Sequence, residues 1–226
     1  MYVPAPPALP AVGWEGVSIT SQAVRQELLR AELLAGTTTR LGARLAVRSH
    51  TLDVLQGHVV SVAGALDVRH SLTGLPGRMV SLQALRGNGW RTLAVARTGP
   101  RGSFRLRLTP QRIGSERVRV RFAGDASALG TGRELGRLNV YRSVEVSWYG
   151  GGGALACGGW LSSGTMGVAS RTLACGTLVT LRYGGRSLRV PVVDRGPFVS
   201  GREFDLTEAT KQALGFGDTG ALWSTG

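Results

Sequence analysis

Two carboxylates on either side of one turn carry most of the chemical content of this 226-residue chain. In the stretch VPVVDRGPFVSGREFDLTEATKQALG, from Val190 to Gly215, the β-branched Val190, Val192 and Val193 read as a buried strand. That strand ends on Asp194, ahead of the turn residues Arg195, Gly196 and Pro197. Asp205 follows Phe204 and precedes Leu206, Thr207 and Glu208, where a strand hands over to a short helix stopped by Gly215. Two acids flanking a Gly/Pro-rich loop, with Arg195 and Arg202 close in sequence, suit acid–base chemistry on a sugar. Plainer roles stand beside this one. Asp205 with Glu208 three residues on matches a helix N-cap and its capping-box acid, and Asp194 before Arg-Gly-Pro matches a turn former. Spacing alone does not choose between them.

The run from Val146 to Trp223 contains VSWYGGG, TLACGT, VVDRGPFVSGREFDLT and KQALGFGDTGALW. In these motifs it resembles the double-psi β-barrel domain of the rare lipoprotein A family, in its cysteine-bearing actinobacterial branch. The resemblance covers a little over the last third of the chain. It implies a six-stranded barrel whose groove binds a glycan, with Asp194 and Asp205 as the two acids and Trp148 and Tyr149 as packing or sugar-stacking residues. Ser170, Thr172, Arg195 and Phe198 complete the substrate-binding set expected from it. Relatives of that barrel act on cell-wall polysaccharide, and members of the family are peptidoglycan lytic transglycosylases or septal peptidoglycan binders.

This chain departs from the catalytic pattern at two places. Ala169, Ser170, Arg171, Thr172 and Leu173 stand where catalytic members read alanine-histidine before arginine/lysine-threonine-leucine, and Gly159 stands where they carry glutamate. No histidine follows residue 143. Two functions stand first, ahead of a third in which the chain is a protein-binding partner that positions another wall hydrolase. One is lytic-transglycosylase-like cleavage of peptidoglycan, with Asp194 as general acid/base and Asp205 ordering the groove or stabilising charge at the anomeric carbon. The other is a non-catalytic, expansin-like wall-binding or loosening module.

The elements that must position these residues fall into a mainly β architecture of three parts: a tether and amphipathic helix over 1–44, an immunoglobulin-like antiparallel β-sandwich over 45–143, and the barrel over 144–226. Met1 to Trp14 is Pro-rich and has neither a basic start nor an apolar core, so it reads as an extended tether rather than a signal peptide. TSQAVRQELLRAELLA, ending at Ala35, has one apolar face that packs on the following domain or on a partner. RMVSLQAL, RTLAVAR, SFRLRLT and ERVRVRF alternate apolar and polar residues, with Gly87-Asn88-Gly89 as turn punctuation, and about seven strands fit a sandwich. GNGWRTLAVARTGPRGSFRLRLTP resembles bacterial immunoglobulin-like modules of secreted wall proteins, with Trp90 as a sandwich residue. Ser143 to Val146 is read as a short joint into the barrel.

Charge is uneven. Of the net +13, residues 1–143 hold twenty arginines against eight acids, and residues 144–226 hold six arginines and Lys211 against six acids. Arg105, Arg107, Arg117, Arg119 and Arg121 take the outward register of two strands, as a solvated sheet face or as a basic ladder for an anionic wall polymer. The absence of any nucleic-acid-binding signature argues against DNA or RNA as partner. Cys157 and Cys175 read as one disulfide of an oxidising compartment, which favours secretion to the wall, or else as two buried thiols. His50, His58 and His70 lack ligand spacing, so no metal or other cofactor is expected. The Gly150–Gly153 run lacks the spacing of a phosphate loop. No apolar run approaches the ~18–20 residues of a membrane span.

Overall fold

One 19-residue strand, β8 (Thr131–Tyr149), belongs to both hydrophobic cores of the structure. The computed structural model describes residues 39–226, and Leu41–Gly226 form one compact unit. The tether and the helix expected up to Ala35 lie outside the described residues.

The first core lies between two sheets. β1 (Ala43–Thr51), β3 (Val60–Val68) and β6 (Ser103–Leu108) form one; β2 (Asp53–Leu55), the first half of β8, β7 (Gly114–Phe122), β4 (Met79–Arg86) and β5 (Gly89–Arg97) form the other. Pairing is antiparallel apart from β2, which runs parallel to β8. Gly87 and Asn88 close the β4–β5 hairpin, where Arg86 pairs with Gly89. Val118, Val120 and Phe122 on β7 enter the core while Arg117, Arg119 and Arg121 between them face out.

Two expectations change here. Arg105 and Arg107 sit on β6, in the opposite sheet from Arg117, Arg119 and Arg121, so the five arginines do not form one ladder. Trp90 stays out of the core: it pairs with Leu85 on the outer face, and the Arg119 guanidinium lies 4.1 Å from its ring centroid. Ser143 to Val146, read as a short joint, is part of one unbroken strand, β8, on which the first core ends at Val140 and the second begins at Val144.

The second half of β8 closes a ring of six strands with β14 (Phe204–Thr207), β11 (Val168–Ser170), β13 (Arg186–Asp194), β12 (Leu178–Tyr183) and β15 (Gly220–Ser224). Two of the contacts are parallel, β11 with β13 and β14 with β8; the others are antiparallel. Val146, Val168, Val192, Phe204, Leu206 and Leu222 fill the interior. The helix α1 (Glu208–Leu214) follows β14 directly and ends at Gly215 in the left-handed conformation.

Tyr141 links the two cores at the middle of β8. It is fully buried, donates to Asp53 Oδ1 on β2 at 2.8 Å, and packs at 5.9 Å against Trp223 on β15. Asn139 donates to the same Asp53 oxygen at 2.8 Å.

Candidate functional site

Four adjacent strands set the acids in one row. Ser147 on β8 pairs with Asp205 on β14, Asp205 with Ala169 on β11, and Ala169 with Asp194 on β13. With neighbouring strands about 4.8 Å apart, the two acids stand on strands about 10 Å apart, either side of the small Ala169. Strict alternation would turn Asp194 toward the interior with Val190 and Val192. Between Val168 and Ala169 the partner instead jumps from Val192 to Asp194, and this extra residue re-aims Asp194 onto the Ala169 row. Gly167 permits the close approach of the two strands, since a Cβ there would lie 2.5 Å from Val193 Cγ2. Hydroxyls from the start of α1 fix Gly167. Thr210 Oγ1 accepts its N–H at 2.9 Å and Thr207 Oγ1 donates to its carbonyl at 3.1 Å.

Each acid has one oxygen tied and one open. Asp194 Oδ1 accepts the N–H groups of Ala156 at 2.9 Å and Arg195 at 2.8 Å. Asp205 Oδ1 accepts the Ser147 hydroxyl. Neither Oδ2 takes a hydrogen bond from the described residues. The helix-cap role does not fall to Asp205, which lies inside β14; Thr207 is the N-cap, and its side chain makes no cap bond. Nor is Asp194 only a turn former, because it also holds the Ala156 loop.

Tyr149, two residues beyond Ser147 on β8, joins the acid face. Its hydroxyl is buried without a hydrogen bond of ordinary geometry. Burial first, then the charge of Asp194 and the close approach of its carboxylate to the hydroxyl, then the charge of Asp205, push this phenol far above its usual 10.0. Burial and the bond to Asp53 do the same to Tyr141. Because both folded values are raised, the neutral phenols stabilise the fold fully below pH 10.0, and that contribution is lost as pH rises past it. The urea midpoint is expected to fall between about pH 9.5 and 11, and the Tyr141→Phe/Tyr149→Phe variant to show a flatter decline. An identical decline in the variant would assign it to other groups.

The other expected site residues scatter. Alternation sends Trp148 to the opposite face from Tyr149, where Lys211 Nζ lies 3.7 Å from its ring centroid and Asp218 accepts its indole N–H at 3.1 Å. Ser170 is buried, and its Oγ accepts the Leu173 N–H at 3.2 Å. Arg195 holds a loop together: Nη1 donates to the carbonyls of Ser170 at 2.9 Å and Leu173 at 2.7 Å, and Nη2 lies 3.0 Å from Cys175 Sγ. Thr172 is exposed. Phe198 is 85% exposed, just beyond Gly196, whose φ of +132° favours glycine.

Cys157 and Cys175 are joined in a disulfide with a Cα–Cα distance of 5.4 Å. The bridge pins the segment that presents the Ala156 N–H to Asp194. That segment lies in a small hairpin, β9 (Gly153–Ala154) with β10 (Trp160–Leu161), which displays Trp160 at 69% exposure. Sequence reasoning passed over Trp160 and Ser147. Trp160 lies in a Gly-rich loop without periodicity, but an aromatic three residues after Cys157 was a usable signal.

The segment that carries this row also has relatives. Residues 142–222 match the family model described as "Lytic transglycolase". Two curated proteins named "Probable endolytic peptidoglycan transglycosylase RlpA" are similar to the chain. That of Aquifex aeolicus (strain VF5) is 41% identical over 75 residues, covering 31% of this chain and 33% of that protein. That of Nostoc sp. (strain PCC 7120) is 34% identical over 122 residues, covering 53% and 29%. The chain thus spans about a third of the length of the curated relatives it matches. Among solved structures, Streptomyces papain inhibitor (SPI) aligns with a TM-score of 0.31 and 20% identity, covering 37% of this chain and 91% of that one.

Proposed function

We propose that the barrel binds glycan strands of peptidoglycan across the acid row and cleaves them in the manner of a lytic transglycosylase. The observation that carries this reading is the pair of carboxylates on the two strands that flank β11, each with Oδ1 anchored and Oδ2 free of hydrogen bonds from the described residues. The family match over 142–222 and the names of the two relatives support peptidoglycan as the substrate. In this mechanism Asp194 gives a proton to the glycosidic oxygen as its bond to the anomeric carbon breaks. It then takes a proton from the sugar's own 6-hydroxyl as that oxygen closes on the same carbon. No water is consumed, and the acid is regenerated. Asp205 stabilises the positive charge that develops at the anomeric carbon.

The disulfide supports work outside the cytoplasm, at the cell wall, where such bonds persist. Residues 45–143 would serve as an immunoglobulin-like spacer and 144–226 as the acting barrel.

Trp160, on the hairpin whose loop gives Asp194 the Ala156 N–H, and Phe198, which shares the surroundings of Gly196 with Asp205, are both exposed and suit stacking on sugar faces. Trp160→Ala and Phe198→Ala are each expected to weaken co-sedimentation with purified peptidoglycan by about 3- to 10-fold, in line with ~0.5–1.5 kcal/mol per stacked ring. Unchanged pelleting in both variants would remove them from the site. One observation favours the second reading, a non-catalytic expansin-like module. The position that holds histidine in catalytic relatives is Ser170, buried and bonded to Leu173.

A further inference from the structure

The outer face of the β2–β8–β7–β4–β5 sheet carries more cations than the fold uses. On β7, Arg117, Arg119 and Arg121 point away from the core, and Arg117 stands directly opposite Arg137 of β8. Like charges opposed across a ladder cost stability, and no internal acid relieves this pair in full. Glu134 bonds Arg117 at 2.9 Å. The other described sandwich acids are engaged elsewhere: Glu116 with Arg86, Asp125 with Arg78, Asp67 with Arg44, and Asp53 with Tyr141. Arg121 lies between Gly132 and Ser81. Among the described residues, neither Arg121 nor Arg137 forms an ion pair. Burial, with Arg189 and Arg117 beside it, pulls Arg137 below the usual arginine value, so the positive field continues onto barrel strand β13.

Alternate residues along β7 repeat about every 6.7 Å, which spreads the cations as a strip rather than a point. A strip of guanidinium groups suits a linear polyanion with one charge per short repeat, and phosphate oxygens match the guanidinium fork. Single-stranded nucleic acid is less well served. The aromatic on this face, Trp90, is half-buried and already has the Arg119 guanidinium stacked on one face of its ring.

We propose that this strip docks a linear phosphodiester polymer without bases, held chiefly by Arg121 and Arg137 and flanked by Arg117 and Arg119. It is a second site, apart from the acid row, and it would hold the barrel against a wall rich in such polymers.

The test is binding of poly(glycerol phosphate) to the full chain at about 50 and 200 mM salt, with single-stranded DNA of matched charge beside it. Arg121→Gln/Arg137→Gln is expected to lower affinity about 10-fold or more and to reduce the salt slope by about 1–2. Thermal stability should hold, since neither guanidinium bonds within the fold. Arg105→Gln/Arg107→Gln, which removes the same charge from the opposite sheet, should stay within about twofold of the native affinity. Equal losses in the two variants, an unchanged affinity in the first, no binding by the native chain, or DNA bound as tightly as the polymer would each overturn the proposal. The polymer contains no amino sugar, so the peptidoglycan reading stands or falls separately.

Discussion

Asp194→Asn is expected to reduce release of soluble peptidoglycan fragments by about 100- to 10,000-fold, the range attributed to a positioned general acid/base, while leaving the fold and wall binding in place. The asparagine keeps an Oδ1 that can still accept the Ala156 and Arg195 N–H groups, so the β13 terminus and the hairpin before Cys157 stay anchored. What it loses is the ability to give and take a proton at the second oxygen. Asp194→Ala is the informative companion. It removes the same proton chemistry and also frees both N–H groups, at a cost of about 1 kcal/mol or more in stability. Activity lost in both variants, with thermal stability lowered only in the alanine form, would separate the chemical role from the anchoring role. Full activity in Asp194→Asn would dismiss Asp194 as the acid/base.

Removing the disulfide should have the largest effect on stability. Cys157 and Cys175 are 18 residues apart in sequence, and closing a loop of that size is worth about 3 kcal/mol in the chain-entropy account. For a unit of this size, with ~2–4 °C per kcal/mol, Cys157→Ala/Cys175→Ala is expected to lower Tm by about 6–12 °C. The change should also reach the site, because the bridge holds the strand of chain that gives Asp194 one of its two donors. Wall binding and fragment release should both weaken at temperatures where the variant is still folded. A Tm shift below about 2 °C would mean that the hairpin is held by its other contacts, such as the Cys157 N–H to Val193 carbonyl bond.

Much of the site was legible because its chemistry is contiguous in sequence. Val190 to Asp194 and Phe204 to Thr207 are both strands, and Gly215 does end the helix between β14 and β15. The one-residue register shift beside Val193 was not legible, although it decides which way Asp194 points. Alternation within one strand says which residues share a face, but a bulge depends on the neighbouring strand. Period-two alternation along β8 was enough to part Trp148 from Tyr149, a step the motif resemblance obscured. The arginines show the converse limit. Their outward register on β6 and β7 was readable, but which sheet each strand joins is a matter of topology, and it puts Arg105 and Arg107 on the other side of the sandwich. Likewise, the strand between the two cores carries no strong mark of its double membership, because Thr131–Tyr149 changes partners between Val140 and Arg142 without a Gly or Pro there to announce it.

The most direct test of the central claim is mass spectrometry of the soluble products after purified peptidoglycan, with and without its stem peptides, is incubated with the native chain and with Asp194→Asn. Anhydro-muropeptides released by the native chain and absent with the variant are the predicted result. Fragments with new reducing ends would contradict the intramolecular mechanism and indicate a hydrolase; no release at all, from protein that still pellets with the wall, would make the barrel a binding module.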